Sequence, residues 1–366
     1  MDTFRTKTSE ISPVKLVRLQ DGRRVRKLVD KSLLRGPRNG KDGTTIRDYI
    51  QLFFLAITVW IGVDFYRFVK GLETGATLSR PPGVDAFLPI GALMSIREFL
   101  ITGIVNRVHP AGFFIFVAVV LLSALMKKGF CSWICPIGYL SETLHEFGLK
   151  IFRKKFQLPR KADLPLRSLK YVLFGFFLIA VSSMSAFELD SFIHSGYNKV
   201  ADIKLFLFFT NISTVSLIVI VSLAVLSIFY DNFWCRYACP YGALLGMMSL
   251  MSPLKVRRDD RTCIDCGKCA DVCPSIIPVD KLEAVSSAEC TACYKCVEVC
   301  PIRATLSVSL GSRTKSVSQK KYAAVLLVVY FGIVGVAMVT GLWQNDISTA
   351  EYLRLFREIG TISHPF

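Results

Sequence analysis

Residues 263–274 read CIDCGKCADVCP and residues 290–301 read CTACYKCVEVCP. Both are Cys-x2-Cys-x2-Cys-x3-Cys-Pro, and this pair decides how the rest of the chain is read. Three closely spaced thiolates wrap one face of a cubane, and the fourth cysteine of such a run ligates the other cluster. The spacing assigns Cys263, Cys266, Cys269 and Cys300 to one [4Fe–4S] cluster, and Cys290, Cys293, Cys296 and Cys273 to a second. Pro274 and Pro301 turn the chain away after each crossing ligand. Closely paired cysteines also build zinc sites, but eight of them in this doubled arrangement favour iron. Disulfides are disfavoured wherever thiols are kept reduced.

The remaining four of the twelve cysteines form a second repeat: residues 130–140 are FCSWICPIGYL and residues 234–244 are WCRYACPYGAL. Both copies are aromatic-Cys-x-aromatic-x-Cys-Pro-x-Gly-x-Leu. Two thiols at i and i+4 share one face if the segment is helical. If Pro136 and Pro240 instead open helices as first-turn prolines, the thiols lie at helix N-termini. Either geometry makes Cys131, Cys135, Cys235 and Cys239 candidates for a further metal or iron–sulfur centre, or for a cycling dithiol. Small buried residues at helix ends are the bland alternative.

Outward from these motifs the chain is apolar. Hydrophobic residues make up 52% of it, and a bilayer span needs about 20 of them in a row. Five stretches qualify: Tyr49–Val69, Ala111–Met126, Leu169–Phe187, Phe206–Tyr230 and Tyr322–Trp343. Backbone groups in lipid must be satisfied internally, so the spans are read as helices. Ala86–Val105 is apolar but carries Pro89, Gly91, Arg97 and Glu98, and is read as an interfacial or re-entrant helix.

The net charge of +17 would suggest nucleic acid in a soluble protein, but its distribution argues for topology. Lys and Arg number 13 before the first span, 10 in residues 127–170 and 13 in residues 231–321, against three in 71–109, two in 189–204 and two after 343. The positive-inside rule then places the N-terminus, the 127–170 loop and the cysteine-rich segment in the cytoplasm, with the C-terminus periplasmic. The basic blocks lack an interleaved aromatic platform, which excludes a nucleic-acid reading. The organisation expected is a basic cytoplasmic tail (1–48, including a loosely ordered 35–43), a four-helix membrane domain with the two Cys-x3-Cys-Pro repeats (49–254), a two-cluster domain (255–310), a linker with a fifth helix (311–343) and an extracytoplasmic tail (344–366). In fold class this is an all-α polytopic membrane protein, built on a two-helix parallel repeat, with a small α+β two-[4Fe–4S] ferredoxin-like cytoplasmic domain.

Paired Cys-x3-Cys-Pro motifs after membrane helices, followed by a two-cluster segment, resemble the polyferredoxin-like family of membrane 4Fe–4S proteins. It includes the quinol dehydrogenase membrane subunit of periplasmic nitrate reductase, the nitrous-oxide reductase accessory protein and the cytochrome oxidase accessory protein. The resemblance covers residues 49–310. It implies a bacterial inner-membrane electron carrier exchanging electrons with a redox partner, through quinol or directly. Of the members resembled, the nitrous-oxide accessory proteins carry a flavin-binding domain before the membrane part, where this sequence has a basic segment, and 23 residues follow Trp343.

A quinone partner would need polar contacts near the outer face, where Asp64, Arg67, Glu98, Arg107, His109 and His194 are the ionisable candidates. Snorkelling to the interface explains most of them, and His109 is the candidate quinone contact. The two-cluster segment holds 13 basic against nine acidic residues in 231–321, which suits an acidic redox partner. Two other functions fit the same residues: a copper or other metal-ion reductase or assembly factor, since soft thiolates favour Cu(I), and a redox-sensing regulator whose clusters report without turnover.

Overall fold

The computed structural model describes residues 45–76, 78–311 and 315–364, together with two strands, β1 (Ile11–Arg18) and β2 (Arg24–Asp30), that pair antiparallel. A hairpin therefore lies within the segment read as a basic tail, while residues 35–43, read as loosely ordered, fall outside the described region. The first helix, α1 (Ile46–Thr74), opens with a capping box in which Thr45 and Asp48 satisfy each other's backbone groups.

Three helices are long and apolar enough to cross a membrane: α1, the helix over Lys161–Ser183 and the one over Gln319–Val339. The expected span Ala111–Met126 forms as α3 (Pro110–Met126), which at 17 residues is short for a crossing. The expected span Phe206–Tyr230 is not one helix. It divides into α9 (Ala201–Thr210) and α10 (Thr214–Phe229), bent by 84°. The cause is local: Asn211 ends the first piece, and Ser213 Oγ accepts the Ser216 N–H to start the second. Ala86–Val105 contributes a 3-10 turn (Pro82–Phe87) and α2 (Pro89–Thr102), packed on α3. Outward-facing side chains on the long helices, such as Trp60, Phe176, Ile179, Val219 and Val328, are exposed and apolar, as lipid-facing positions are.

The repeat is structural. In the first copy α3 leads to α4 (Gly129–Trp133) and α5 (Pro136–Phe152); after α6 (Arg160–Ser183), α7 (Ala186–Ile193) and α8 (Gly196–Lys199), α10 leads to α11 (Phe233–Tyr237) and α12 (Pro240–Met248) in the second. The copies exchange partners, α5 packing on α10 and α12 on α3. Gly148 makes the first crossing possible, since a Cβ there would stand 2.2 Å from the Ile228 carbonyl oxygen.

The cysteine-rich segment forms a small α+β unit. Strands β3 (Leu254–Arg258), β4 (Ala284–Val285) and β5 (Leu306–Leu310) make an antiparallel sheet in the order β4-β3-β5, with short helices α13 (Lys268–Asp271) and α14 (Lys295–Val299) following the cysteine loops. Helix α15 (Gln319–Val339) returns against α3, and its Tyr322 is fully buried with its hydroxyl donating to the Met126 carbonyl at 2.7 Å. The C-terminal segment read as a tail contains α16 (Thr349–Arg357), whose Tyr352 and Leu355 pack with Phe68, Leu72 and Ile203.

Candidate redox centres and their junction

Cys263, Cys266, Cys269 and Cys300 line one enclosed cavity of the α+β unit, and Cys273, Cys290, Cys293 and Cys296 line another. The two loops have the same backbone. Asp265 and Gly267 flank the second cysteine of the first run with φ of 50° and 73°; Ala292 and Tyr294 do so in the second with 48° and 63°. Left-handed residues inside a tight loop turn successive N–H groups toward one concavity, which suits an anionic occupant. Three of these four residues are not glycine, so each holds a conformation that costs about 1–2 kcal/mol. The Tyr294 hydroxyl donates to the Val317 carbonyl at 3.1 Å and anchors one of them. Burial pushes the Cys269 and Cys290 thiols up to about 11, so at neutral pH they ionise when a bound cationic centre displaces their protons to solvent. The donor set and backbone fit a [4Fe–4S] cluster in each cavity.

The other four thiols converge at a third place. Cys135 and Cys239 are the N-cap residues of α5 and α12, with Pro136 and Pro240 in the first turn. Of the two geometries open from sequence, this is the helix N-terminus, with the first cysteine of each pair on a separate short helix. The hydrogen bonds match: Cys135 N donates to the Phe130 carbonyl at 2.9 Å and Cys239 N to the Trp234 carbonyl at 3.0 Å. Each repeat glycine lies against the first cysteine's backbone. A Cβ at Gly138 would meet the Cys131 carbonyl oxygen at 2.2 Å, and at Gly242 the Cys235 carbonyl at 3.2 Å. Burial raises all four thiols, Cys131 to about 12 and Cys135 to about 11, the latter opposed by the Gly138 N–H.

All four thiols line one cavity of about 620 Å³, with Cys293 at its rim. Its walls away from the thiols are apolar: Phe54, Ile57, Ile61, Phe331, Val334 and Met338. Among the described residues, no group of three or more His, Cys, Asp or Glu side chains is arranged to hold a single metal ion.

Both Cys-x3-Cys-Pro copies also reach the loops of the second four-cysteine cavity. In the first copy Ser132 Oγ donates to the Thr291 carbonyl at 2.7 Å and Trp133 Nε1 to the Ala292 carbonyl at 3.1 Å. In the second, Arg236 donates to the Pro274 carbonyl at 3.3 Å while it pairs with Asp163 at 2.8 Å. The first copy is held from behind by Arg47 and Gln51, which donate to the Ser132 carbonyl at 2.8 and 2.9 Å.

Glu289, one residue before Cys290, accepts from Lys170 Nζ at 2.6 Å, Lys128 Nζ at 3.2 Å and the Tyr171 hydroxyl at 3.2 Å. Burial works to raise its carboxyl, but Lys128 and then Lys170 outweigh it and hold it at about 2. This junction was not legible in sequence, where Lys128 and Lys170 read as topology charges. The aromatic before the second cysteine of each repeat was its one visible trace.

Cys266, which lines the first cavity, is exposed, so that cavity reaches the protein surface there. The surface around it carries exposed Asp260, Asp265 and Asp271 beside Arg261 and Lys268. Charges of both signs are therefore present on this face, with exposed Lys281 and Arg303 in the same unit.

The structure does not bring His109 to the large cavity. Its side chain is buried with Nδ1 3.0 Å from Asp85 Oδ1 and Nε2 2.7 Å from the Asn198 carbonyl. Asp85 also pairs with Arg80, which bonds Asp202 at 2.5 Å. Both ring nitrogens are thus engaged in a buried polar cluster that ties the 3-10 turn, α3 and α9 together. The other ionisable candidates have local partners: Asp64 accepts from Trp60 Nε1 at 2.6 Å, Glu98 from Asn106 at 2.8 Å, and Arg107 and His194 pair with Asp346 and Asp190.

Residues 108–159 and 212–258, which contain the two Cys-x3-Cys-Pro copies, match a family model described as a 4Fe-4S binding domain; residues 255–301 match a 4Fe-4S dicluster domain. YccM of Escherichia coli (strain K12), whose name assigns it provisionally to electron transport, is 42% identical over 332 residues, covering 88% of this chain and 93% of that protein. The ferredoxin-type protein NapH of the same organism is 28% identical over 42% of this chain and 50% of its own length. The regulatory protein NosR of Pseudomonas aeruginosa is 30% identical over 39% of this chain and 19% of its own length. No solved structure matches.

Proposed function

From its membership of the polyferredoxin-like family of 4Fe–4S electron-transport proteins, to which this chain belongs, we propose that it is a conduit between a membrane redox partner and a soluble redox protein. Its eight dicluster cysteines hold two [4Fe–4S] clusters, each of which supplies a one-electron store when bound. The chain lies in a bacterial inner membrane with its N-terminus and dicluster unit in the cytoplasm and its C-terminus in the periplasm. In this reading α10 and α3 complete five crossings with α1, α6 and α15.

The observation that carries the proposal is the hydrogen-bonded contact of both Cys-x3-Cys-Pro copies with loops of the second cluster cavity. It gives a serial arrangement. The Cys266 side faces the soluble partner, the Cys273–Cys296 set lies inward, and the four repeat thiols form a further centre over the large cavity. That cavity, with thiols and charged groups at one end and apolar walls at the other, suits an isoprenoid quinone whose ring approaches the thiols.

The test is anaerobic purification followed by iron and acid-labile sulfide analysis, then reduction by a quinol analogue in proteoliposomes. About eight irons are expected from two clusters, with any excess assigned to the repeat thiols by its loss in Cys131→Ser and Cys235→Ser. Zinc at the dicluster cysteines, or quinol-independent copper reduction lost in those variants, would overturn it.

A further inference from the structure

Lys127 follows α3 in a backbone conformation that side chains rarely take, with φ 60° and ψ −170°. That region belongs almost wholly to glycine, and a lysine persists there only when its surroundings over-determine it. Its N–H donates to Ser252 Oγ at 3.1 Å, and the N–H of Lys128 reaches the Cys290 carbonyl at 3.4 Å. The side chain is 1% exposed, and Nζ has no hydrogen-bond partner among the described residues. A buried ammonium without a partner is strongly disfavoured. Its neighbour shows the ordinary remedy, since the buried Lys128 pairs with Glu289. Of the charged groups that act on it, Lys255 is of like sign, whereas Cys290 is of opposite sign once it is a thiolate, as a bound cluster would make it.

The internal repeat shows that this cation is not required by the Cys-x3-Cys-Pro turn. Lys127-Lys128 precede the first copy, whereas Asp231-Asn232 occupy the same positions before the second. The first copy is also the one whose approach lies against Cys290. The first cluster cavity is lined by a different cation, Arg258, which faces Cys263 and also pairs with Asp260 at 2.5 Å and Asp265 at 3.5 Å.

We propose that Lys127 is the fixed counter-charge of the second iron–sulfur centre, held there to keep that buried centre reducible. The proposal rests on the eight-cysteine reading above. A cubane with four thiolates is anionic and gains one negative charge with each electron it accepts. In a dry site that added charge is poorly solvated, and an unpaired ammonium beside Cys290 offsets it. The same cluster relieves the lysine of its missing partner.

The test is an EPR-monitored redox titration of the full chain in detergent, with dithionite as the one-electron donor. Lys127→Met, Lys127→Gln and Lys127→Arg are compared with the parent, and the second centre is identified as the signal altered in Cys293→Ser. Met and Gln are expected to weaken reduction of the second centre at least tenfold, about 59 mV for one electron. The first centre should stay unchanged, and Arg should restore most of the loss. In iron-free protein Lys127→Met is expected to raise the unfolding midpoint, because the orphan charge is gone; a merely structural lysine would lower it. A second-centre potential within threefold of the parent in both Met and Gln overturns the proposal, as does an equal shift of both centres. If Lys127→Met fails to assemble, Gln and Arg decide by the same criterion. Failure of the parent itself to show two cluster signals would instead sink the eight-cysteine reading.

Discussion

Replacing Glu289 by Ala should be among the most damaging single changes outside the cysteines. The carboxylate lies 2.6 Å from Lys170 Nζ and 3.2 Å from Lys128 Nζ, and those side chains are 0% and 4% exposed. At an effective dielectric near 20, one such contact is worth about 4 kcal/mol before desolvation is subtracted. Removing the shared anion leaves two buried ammoniums uncompensated, and breaking a buried pair costs about 3–5 kcal/mol. Glu289→Ala is expected to lower stability by that amount, read from the denaturant midpoint of Trp fluorescence and of cluster absorbance in detergent. Glu289→Gln should cost less, since it keeps an acceptor. Combining Glu289→Leu with Lys128→Met and Lys170→Met should return stability to within about 1 kcal/mol of the parent, because an apolar replacement has no charge to desolvate. The sign with pH follows from a carboxyl whose ordinary value of 4.5 is depressed to about 2. Its stabilising contribution is present above pH 4.5 and is lost as pH falls from there through 2. A loss below 1 kcal/mol in Glu289→Ala, or an unchanged stability as pH is lowered from 4.5 to 2, would refute the reasoning.

Three further outcomes follow from the geometry. Gly138→Ala should cost about 1–3 kcal/mol or more, because its Cβ meets backbone at 2.2 Å, while Gly242→Ala at 3.2 Å should cost under about 1 kcal/mol; paired denaturation curves distinguish equal from unequal effects. Trp133→Phe removes the donor to the buried Ala292 carbonyl and should cost about 1–3 kcal/mol, with faster loss of the second cluster than the first on dilution into chelator. His109→Gln should lower stability and leave quinol-dependent reduction of the surviving folded protein unchanged, measured as rate per cluster, since this residue does not line the cavity.

What the sequence made legible was what local spacing controls. The spacing of the two Cys-x2-Cys-x2-Cys-x3-Cys-Pro runs grouped the eight cysteines in the same two sets of four that line the two cavities of the α+β unit. Cys-Pro left two geometries open, and the one realised places Pro136 and Pro240 in first turns, where proline's missing N–H costs nothing. Hydropathy was a coarser guide. A window over Phe206–Tyr230 averages across Asn211–Ser213, where three residues suffice to turn the chain by 84°. Nor can local pattern reveal partners far away in the chain, such as Arg80 with Asp202 or Glu289 with Lys170. His109 looked available because its partners come from the 3-10 turn before α2 and from α8.

The charge count read as a topology signal needs one correction. Of the ten Lys and Arg in residues 127–170, Lys127, Lys128 and Lys170 are buried and serve the junction rather than the surface. Seven remain in the count, against three in 71–109 and two in 189–204. An inward orientation of this loop would rest on residues such as the exposed Arg153, Lys154 and Lys161. The same correction separates two roles that composition merges. A basic residue at a membrane helix end can be there for the lipid headgroups or for an anion inside the protein, and burial tells them apart. Lys127 and Lys128 stand one residue apart at the end of α3, both buried, and only Lys128 has found its anion within the polypeptide.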